Sequence, residues 1–222
     1  MNGKKHIFYS NKIDQVEGNI KKLLNSQEDF LSAATVNSPR AVGDAIQEIL
    51  GNHLQAVLGE EICKNYSAHF ARRAMADLAF EDDQGFYYVI DVKTHRLSTK
   101  FNMPNLTSVE RLARFYESDE NVFAILLIAY EAQGTRISVE NVQFLPIEFL
   151  GWDCLTIGAL GWGQIQIANS NALTINRGYS RKQWMLELCD KLAKFYPREI
   201  SKIKERSKYF TKVREFWLNH SD

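Results

Sequence analysis

The stretch over residues 76–93, Ala-Asp-Leu-Ala-Phe-Glu-Asp-Asp-Gln-Gly-Phe-Tyr-Tyr-Val-Ile-Asp-Val-Lys, is typical of a β-hairpin. Its turn is Asp83-Gln84-Gly85, a three-residue loop in which the glycine can supply the positive φ of a type I turn with a bulge. A symmetric turn places Asp77 directly opposite Asp91. Because strand side chains alternate between faces, Lys93 projects on the same side as Asp91. The hairpin therefore predicts a sheet on which two acids and an amine converge.

Two carboxylates that face each other destabilise a sheet unless a cation lies between them. Oxygen ligands of this kind suit Mg²⁺ or Mn²⁺, and Mg²⁺ is usually held by one or two carboxylates together with phosphate oxygens and water. The triplet therefore indicates phosphodiester hydrolysis, whereas solvated charges on a surface hairpin are the alternative interpretation. The other face of the second strand is wholly apolar and favours burial: Phe86, Tyr88, Ile90 and Val92.

The composition is that of one globular domain over residues 1–222, with 45% hydrophobic and 24% charged residues. The longest apolar run, 122–130, is the length of a strand, and no secretory signal is recognisable at the start, so we expect a cytoplasmic protein that does not enter a membrane. The three cysteines are scattered and give no zinc spacing. The formal charge of zero argues against a protein that coats nucleic acid by bulk electrostatics.

Apolar periodicity predicts an α/β fold, with a central mixed β-sheet of about five strands flanked by helices. Two amphipathic helices precede the hairpin, the second starting at about Pro39, and a third is expected from about Thr107. Further strands are expected over 122–132, 136–144 and 164–167. Ser180 and Gln183 resemble a capping box that opens a last helix, which Pro197 interrupts or restarts before it continues to Trp217.

The last helix carries a local excess of positive charge. Between Asp190 and Glu215 there are nine basic residues and four acidic ones. Such a surplus suits a helix that lies along a phosphate backbone, and a solvated helix face is the alternative.

With these features in place, the chain resembles the PD-(D/E)xK nuclease superfamily, and within it the blunt-cutting type II restriction endonucleases of the EcoRV, HincII and SwaI group. Asp77 and Asp91-Val92-Lys93 match the superfamily motif. Pro104-Asn105 resembles the segment that follows the catalytic strand in this group. Downstream, Gln164-Ile165-Gln166 and Arg181-Lys182-Gln183-Trp184 resemble a second shared block, a strand followed by a helix. Together these blocks span about half of the chain.

The resemblance implies a role for each residue of the motif. Asp77 and Asp91 would coordinate Mg²⁺, for which Mn²⁺ is a possible substitute, and the Val92 carbonyl would be a further ligand. Lys93 would orient the attacking water and help to deprotonate it. Glu48, on the second helix, matches a helix acid near the metals of such enzymes, although a solvated glutamate is the alternative.

The resemblance also implies DNA contacts outside the motif. Asn102 and Asn105 resemble residues that meet bases, and Gln164 and Gln166 are a second polar pair that we place at DNA, because amides bond adenine edges in the major groove. Trp162 is placed there too, although its loop departs from the asparagine-bearing segment of the family, so base contacts from that loop cannot be transferred. Ordinary loop or edge-strand polarity is the alternative for the four amides.

A single site cuts one strand, so the resemblance implies a C₂ homodimer on double-stranded palindromic DNA, joined through the helices over about 10–58. Cleavage is expected to be blunt, at a central pyrimidine-purine step that deforms easily. A cognate DNA methyltransferase is the expected partner in the same system. Two alternatives stay open: a structure-specific repair or junction-resolving nuclease with the same site, and a non-catalytic DNA-binding domain in which the triplet is fortuitous.

Overall fold

A computed structural model describes residues 6–27, 32, 35, 38–66, 76–133 and 135–220. The chain divides into two compact units, Met1–Gly178 and Tyr179–Asp222. The strands are β1 (Asn65–Tyr66), β2 (Leu78–Glu81), β3 (Tyr87–Arg96), β4 (Asn105–Ser108), β5 (Asn121–Gln133), β6 (Arg136–Pro146), β7 (Leu155–Gly158) and β8 (Gln164–Ile167). The helices are α1 (Lys12–Asn25), α2 (Pro39–Leu58), α3 (Val109–Phe115) and α4 (Arg181–Leu218), with short 3₁₀ helices at Ile7–Tyr9 and Ile147–Phe149.

The first unit is built on a five-stranded mixed sheet in the order β1-β2-β3-β5-β6. Only β3 and β5 run parallel among these neighbours, and the other pairs are antiparallel. Strand β5 reads Asn-Val-Phe-Ala-Ile-Leu-Leu-Ile-Ala-Tyr at its start, and most of these side chains are buried, as expected for a strand with both faces covered. The predicted α/β fold with a central mixed sheet of five strands is therefore confirmed.

Helices α1 and α2 pack against the sheet through the apolar stripes that the sequence predicts. Helix α2 begins as the sequence indicates, since the Ser38 hydroxyl accepts a hydrogen bond from the Ala41 N–H over 3.3 Å and Pro39 occupies the first turn. Its buried residues are Val42, Ile46, Leu50, Leu54, Val57 and Leu58, and those of α1 are Ile13, Val16, Ile20 and Leu24. Their burial closes one face of the sheet.

Two glycines let α2 approach the strands closely. A Cβ atom at Gly43 would lie 3.4 Å from the Thr94 hydroxyl of β3, and one at Gly51 would lie 3.9 Å from a methyl of Leu78 in β2. The helix thus crosses the hairpin between these two contact points, on the face to which the even-numbered side chains of β3 point.

A second, three-stranded sheet in the order β4-β8-β7 was not predicted. The helix expected from about Thr107 is present but begins at Val109, because Thr107 pairs with Ile165 in this sheet. Ser108 caps the helix, and its hydroxyl accepts a hydrogen bond from the Arg111 N–H over 3.1 Å. Strand and helix therefore meet at one serine.

The second unit contains α4, which begins at the predicted cap, where the Ser180 hydroxyl accepts a hydrogen bond from the Gln183 N–H over 3.2 Å. Pro197 lies inside the helix without ending it. The helix is therefore continuous for 38 residues. No helix within the described part of the chain is both long and apolar enough to cross a membrane.

Candidate active site

The hairpin has the register that the sequence predicts. Leu78 pairs with Ile90 and Glu81 with Tyr87, which leaves Asp83-Gln84-Gly85 as the connecting loop. Gly85 adopts a φ of 86°, the left-handed conformation that glycine adopts without strain. One step beyond the last pair, Asp77 lies beside Asp91, the arrangement that the symmetric turn predicts.

The turn is held by a buried carboxylate that the sequence analysis missed. Asp82 accepts hydrogen bonds from the N–H groups of Gln84 and Phe86, each over 2.9 Å, and from the Tyr88 hydroxyl over 2.7 Å. The Tyr88 hydroxyl in turn accepts from the Ile7 N–H over 3.1 Å. An acid before a tight turn is a common side-chain cap, and this signal could have identified Asp82.

Asp91 is the buried centre of the triplet, with 5% of its surface exposed. The Lys93 Nζ atom donates a hydrogen bond to Asp91 Oδ1 over 2.7 Å. Asp91 Oδ2 is buried and has no hydrogen-bond partner among the described residues. A buried carboxylate oxygen without a partner is energetically unfavourable and marks a place where a ligand can bind.

The Asp91 carboxyl holds its proton to higher pH in the folded protein than a carboxyl in water does. Burial raises the pKa of the Asp91 carboxyl from its ordinary 3.8 to about 7, although the nearby Lys93 ammonium lowers it. The negative charge of Asp77 adds a smaller upward effect on this pKa. The two carboxylates are therefore close enough to repel each other, as the sequence predicts.

Asp77 is half-buried at the open end of the hairpin. Its Oδ2 atom accepts a hydrogen bond from the Val92 N–H over 2.8 Å, and its own N–H donates to the Ile90 carbonyl over 3.0 Å. Since the N–H and C=O of one strand residue point to the same edge, the Val92 carbonyl, a predicted metal ligand, is directed to the side of Asp77.

The donor set fits a magnesium ion whose remaining ligands come from phosphate and water. In the described ranges, no group of three or more His, Cys, Asp or Glu side chains is arranged to hold a metal. Mg²⁺, however, is commonly bound by only one or two carboxylates. The unpartnered Asp91 Oδ2 atom and the adjacent Asp77 provide such a pair.

Glu48 lies on α2 between Gly43 and Gly51, two points at which this helix comes close to the hairpin strands. Its side chain is exposed. Among the contacts of the described residues, none joins Glu48 to the triplet. Its role as a metal-site acid therefore stays a prediction.

The predicted DNA-contacting amides cluster on the smaller sheet. Asn105 of β4 pairs with Gln166 of β8, and the Gln166 Nε2 atom donates a hydrogen bond to Asn105 Oδ1 over 2.6 Å. A Cβ atom at Gly158 would lie 2.7 Å from Gln166 Oε1, so this glycine makes room for the glutamine side chain. Gln164 lies on the same face of β8, two residues before Gln166 in the chain. The amides thus form one polar surface.

Two further predicted DNA contacts border this surface. Trp162 is 60% exposed in the turn before β8, and it lines a shallow cavity together with Arg111 and Gln164. Asn102 is half-buried, and its carbonyl accepts a hydrogen bond from the Ser170 N–H over 2.9 Å. The structure therefore brings Trp162 and Gln164 together, and it ties the Asn102 loop to the segment after β8.

Sequence reasoning missed a cavity of about 250 Å³ that lies next to Lys93. His95, which follows Lys93 on the same face of β3, is buried there. Asn171 Nδ2 donates to the carbonyls of Thr99 and Lys100, over 3.2 and 3.1 Å, so its Oδ1 atom is the acceptor of the 2.8 Å bond to His95 Nε2. Because His95 follows Lys93 by two residues on β3, the sequence could have placed both side chains on one face of the strand. No local pattern could have identified Asn171, which comes from a distant loop.

Comparison with models of protein families gives no match, and comparison with curated proteins gives no significant similarity.

Proposed function

We propose that the protein is a Mg²⁺-dependent endonuclease that hydrolyses phosphodiester bonds of double-stranded DNA at a specific palindromic site, as type II restriction endonucleases do. The observation that carries the proposal is the triplet on the hairpin. The buried Asp91 lies beside Asp77. Its Oδ1 atom accepts a hydrogen bond from the Lys93 ammonium over 2.7 Å, and its Oδ2 atom has no hydrogen-bond partner among the described residues. A buried carboxyl with a raised pKa beside other charged groups is typical of catalytic sites.

In this proposal Asp77, Asp91 and the Val92 carbonyl hold the divalent cation, and Mn²⁺ can substitute because it accepts the same oxygen ligands. The bound cation supplies positive charge that stabilises the pentacovalent phosphate and the leaving 3′ oxygen. Lys93 orients the attacking water and assists the transfer of its proton to solvent. The water oxygen bonds to phosphorus as the bond to the 3′ oxygen breaks, and this oxygen takes a proton from solvent. The products are a 5′-phosphate and a 3′-hydroxyl.

Recognition of the bases is assigned to the polar surface of the smaller sheet. Asn105 and Gln166 are already hydrogen-bonded to each other, so they present donors and acceptors in a fixed arrangement. Asn102 and Gln164 extend this surface, and the exposed Trp162 can pack against the DNA backbone or a base.

Double-strand cleavage at a palindrome requires two copies of this site, so the active form is proposed to be a homodimer. We propose blunt cleavage at a central pyrimidine-purine step, which is easily unstacked. A cognate methyltransferase would protect the same sequence in the host.

The test is digestion of a sequenced phage genome in Mg²⁺, followed by mapping of the ends. We expect discrete fragments with flush 5′-phosphate ends at one palindrome, and no cutting by Asp91→Asn or Lys93→Ala. The matched control is Asp83→Asn, which removes an exposed carboxylate from the turn of the same hairpin and should cut normally. Circular dichroism and thermal melting establish that each variant is folded.

Three outcomes would overturn parts of this proposal. Cleavage by folded Asp91→Asn at the wild-type rate contradicts the site assignment. Cleavage of a four-way junction without cleavage of linear duplex favours a junction-resolving nuclease. Absence of cleavage on every substrate, combined with cation-independent DNA binding, favours a non-catalytic binding domain.

A further inference from the structure

The cavity beside Lys93 has a floor made of three adjacent strands. Lys93 of β3 is in register with Leu127 of β5, and His95 is in register with Ala129. Leu127 and Ala129 are in turn paired with Gln143 and Asn141 of β6, so these side chains share one face of the sheet. All six residues line the cavity. The floor is therefore as rigid as the central sheet.

A loop over residues 170–173, held in place by hydrogen bonds, closes the cavity on the other side. Ser170, Asn171 and Leu173 line it, and the Ser170 N–H donates to the Asn102 carbonyl. Asn171 is bonded to His95 and to two backbone carbonyls. The pocket is thus preformed between the central sheet and the loop over residues 170–173, which is bonded to Asn102.

The lining matches the chemistry of a nucleobase. Asn141 and Gln143 offer amide donors and acceptors at one side, and leucines supply apolar surface against which a flat ring can pack. Lys93 provides a cation at the edge, where a phosphate would lie. A volume of about 250 Å³ is slightly below the roughly 300 Å³ at which pockets for drug-sized ligands begin, so it suits a single base.

We propose that this pocket receives one nucleobase of the strand whose phosphate is bound at Lys93. The proposal rests on the proposed nuclease function and adds a binding subsite to it. In this arrangement the bases next to the scissile phosphate are read from the face of the central sheet, independently of the amides on the smaller sheet.

The experiment is titration of the full chain with each of the four deoxynucleoside 5′-monophosphates, observed through the side-chain amide signals of Asn141 and Gln143 by NMR. We expect saturable shifts for at least one nucleotide, and at least tenfold weaker binding by Ala129→Phe, which fills the pocket with apolar bulk. The matched control is Ala132→Phe, a half-buried alanine of the same strand that does not line the pocket. The control variant should bind as wild type does.

The outcomes separate this proposal from the nuclease function. If the protein cuts DNA, but binds no nucleotide at these amides and Ala129→Phe cuts normally, the pocket proposal is wrong and the function stands. If nucleotides bind and Ala129→Phe abolishes the binding, but no DNA is cut, the pocket stands and the nuclease function is wrong.

A second observation concerns α4 considered by itself. Apolar residues recur on it every seven positions, which is the spacing of one of the two seam positions in a coiled-coil heptad: Cys189, Tyr196, Ile203, Phe210 and Trp217. Ile203, Phe210 and Trp217 are 59%, 65% and 63% exposed. Ile200 is also exposed and lies about 60° around the helix from Ile203, whereas Tyr209 and Phe216, exposed as well, lie about 120° and 140° from it. Contiguous exposed apolar surface of this extent marks an interaction site.

Most of the positive charges of α4 lie away from this seam, although Arg214 lies about 20° around the helix from Ile203. Lys194, Lys208 and Lys212 are on the opposite side of the helix from Ile203, because successive residues turn by about 100°. Two such helices can therefore pair along the apolar seam without bringing these lysines together.

We infer that the seam pairs with α4 of a second copy of the chain. A standard interface buries about 800 Å² per partner, and a fully buried aromatic side chain contributes about 150–250 Å². The seam aromatics Tyr196, Phe210 and Trp217, half covered, and the isoleucines Ile200 and Ile203 supply roughly half of this area, which is the size of a weak, reversible interface. A second α4 has the same length and the same repeat, so it matches the seam along its whole extent.

Sedimentation of the full chain at tens of micromolar tests this inference without DNA or metal. We expect a dimer for the wild type, a monomer for the double variant Ile203→Asp/Phe210→Asp, and a dimer for the control Lys208→Glu/Lys212→Glu on the opposite side of the helix. A monomeric wild type, or a dimer that survives both aspartates, would overturn the inference. Helicity measured by circular dichroism shows whether the variants retain α4.

Discussion

At the scale of single residues, the candidate site is a charge arrangement that folding does not favour. Asp91 is buried against a second carboxylate, and the Lys93 ammonium compensates only one of its oxygens. Removing a carboxylate from water disfavours its charged form, which is why the pKa of Asp91 rises to about 7. Groups that lower stability in this way are retained where they bind or react.

This burial predicts a specific dependence of stability on pH. In metal-free buffer, folded Asp91 holds a proton up to about pH 7, whereas the unfolded chain releases it near the ordinary pKa of 3.8. Its contribution to the free energy of unfolding is therefore fully present below pH 3.8 and is lost as pH rises to about 7. The slope from this group is about 1.4 kcal/mol per pH unit.

The Asp91→Asn variant has no carboxyl to titrate at this position, so its stability lacks this contribution to the pH dependence. Urea unfolding of the wild type and the variant between pH 4.5 and pH 8 measures the difference between their free energies of unfolding. We expect the variant to gain stability relative to the wild type as pH rises through this window, with no further change above pH 7.5. A difference that stays constant with pH would contradict the burial of an ionisable Asp91.

Several site residues could be predicted because they lie close together along the chain. The turn fixes the hairpin register, and the register brings Asp77 to Asp91. His95 and Asn171, in contrast, meet across 76 residues. A contact of this kind depends on how the loops fold over the sheet, which no local pattern records. The pocket beside Lys93 therefore emerged only from the structure.

At the scale of elements, the β2–β3 hairpin depends on one side chain that holds its turn. Asp82 satisfies two backbone N–H groups and the Tyr88 hydroxyl, all in or next to the core. Asp82→Ala leaves these donors without a partner, at about 1–3 kcal/mol for each buried donor. We expect a loss of at least 2 kcal/mol in the free energy of unfolding, measured with urea.

The neighbouring Asp83→Ala is the control for this prediction. Asp83 is exposed in the same turn, so we expect a change within about 0.5 kcal/mol. Equal effects of the two alanines would show that the Asp82 hydrogen bonds do not hold the turn.

The elements also show where local patterns fail. Helix α2 was predictable from its stripe and its Ser38 cap, because both signals are local. Strand β4 was not predicted, since its partner β8 lies almost 60 residues further along the chain. Pro197 removes one backbone hydrogen bond from α4 but does not end it, because its surroundings are exposed and water can bond the freed carbonyl.

At the scale of the whole molecule, charge is distributed unevenly although its sum is zero. The segment from Asp190 to Glu215 carries a surplus of five positive charges, so the rest of the chain carries an equal surplus of negative charge. If the apolar seam of α4 is covered by a second copy, the opposite side of the helix remains in solvent. Its lysines are then available to DNA phosphates, where each neutralised phosphate releases counterions.

Reversing two of these charges, Lys208→Glu/Lys212→Glu, should weaken binding to a mixed-sequence duplex without changing the dimer. Because each phosphate contact contributes about 0.9 to the slope of log affinity against log salt, the slope should become shallower by up to about 1.8. Fluorescence anisotropy between 50 and 200 mM salt, without divalent cations, measures it. The control Lys22→Glu/Lys64→Glu makes the same change in net charge at exposed positions of the first unit. An identical slope for both double variants would mean that DNA responds to total charge, and that the basic side of α4 does not contact the phosphates.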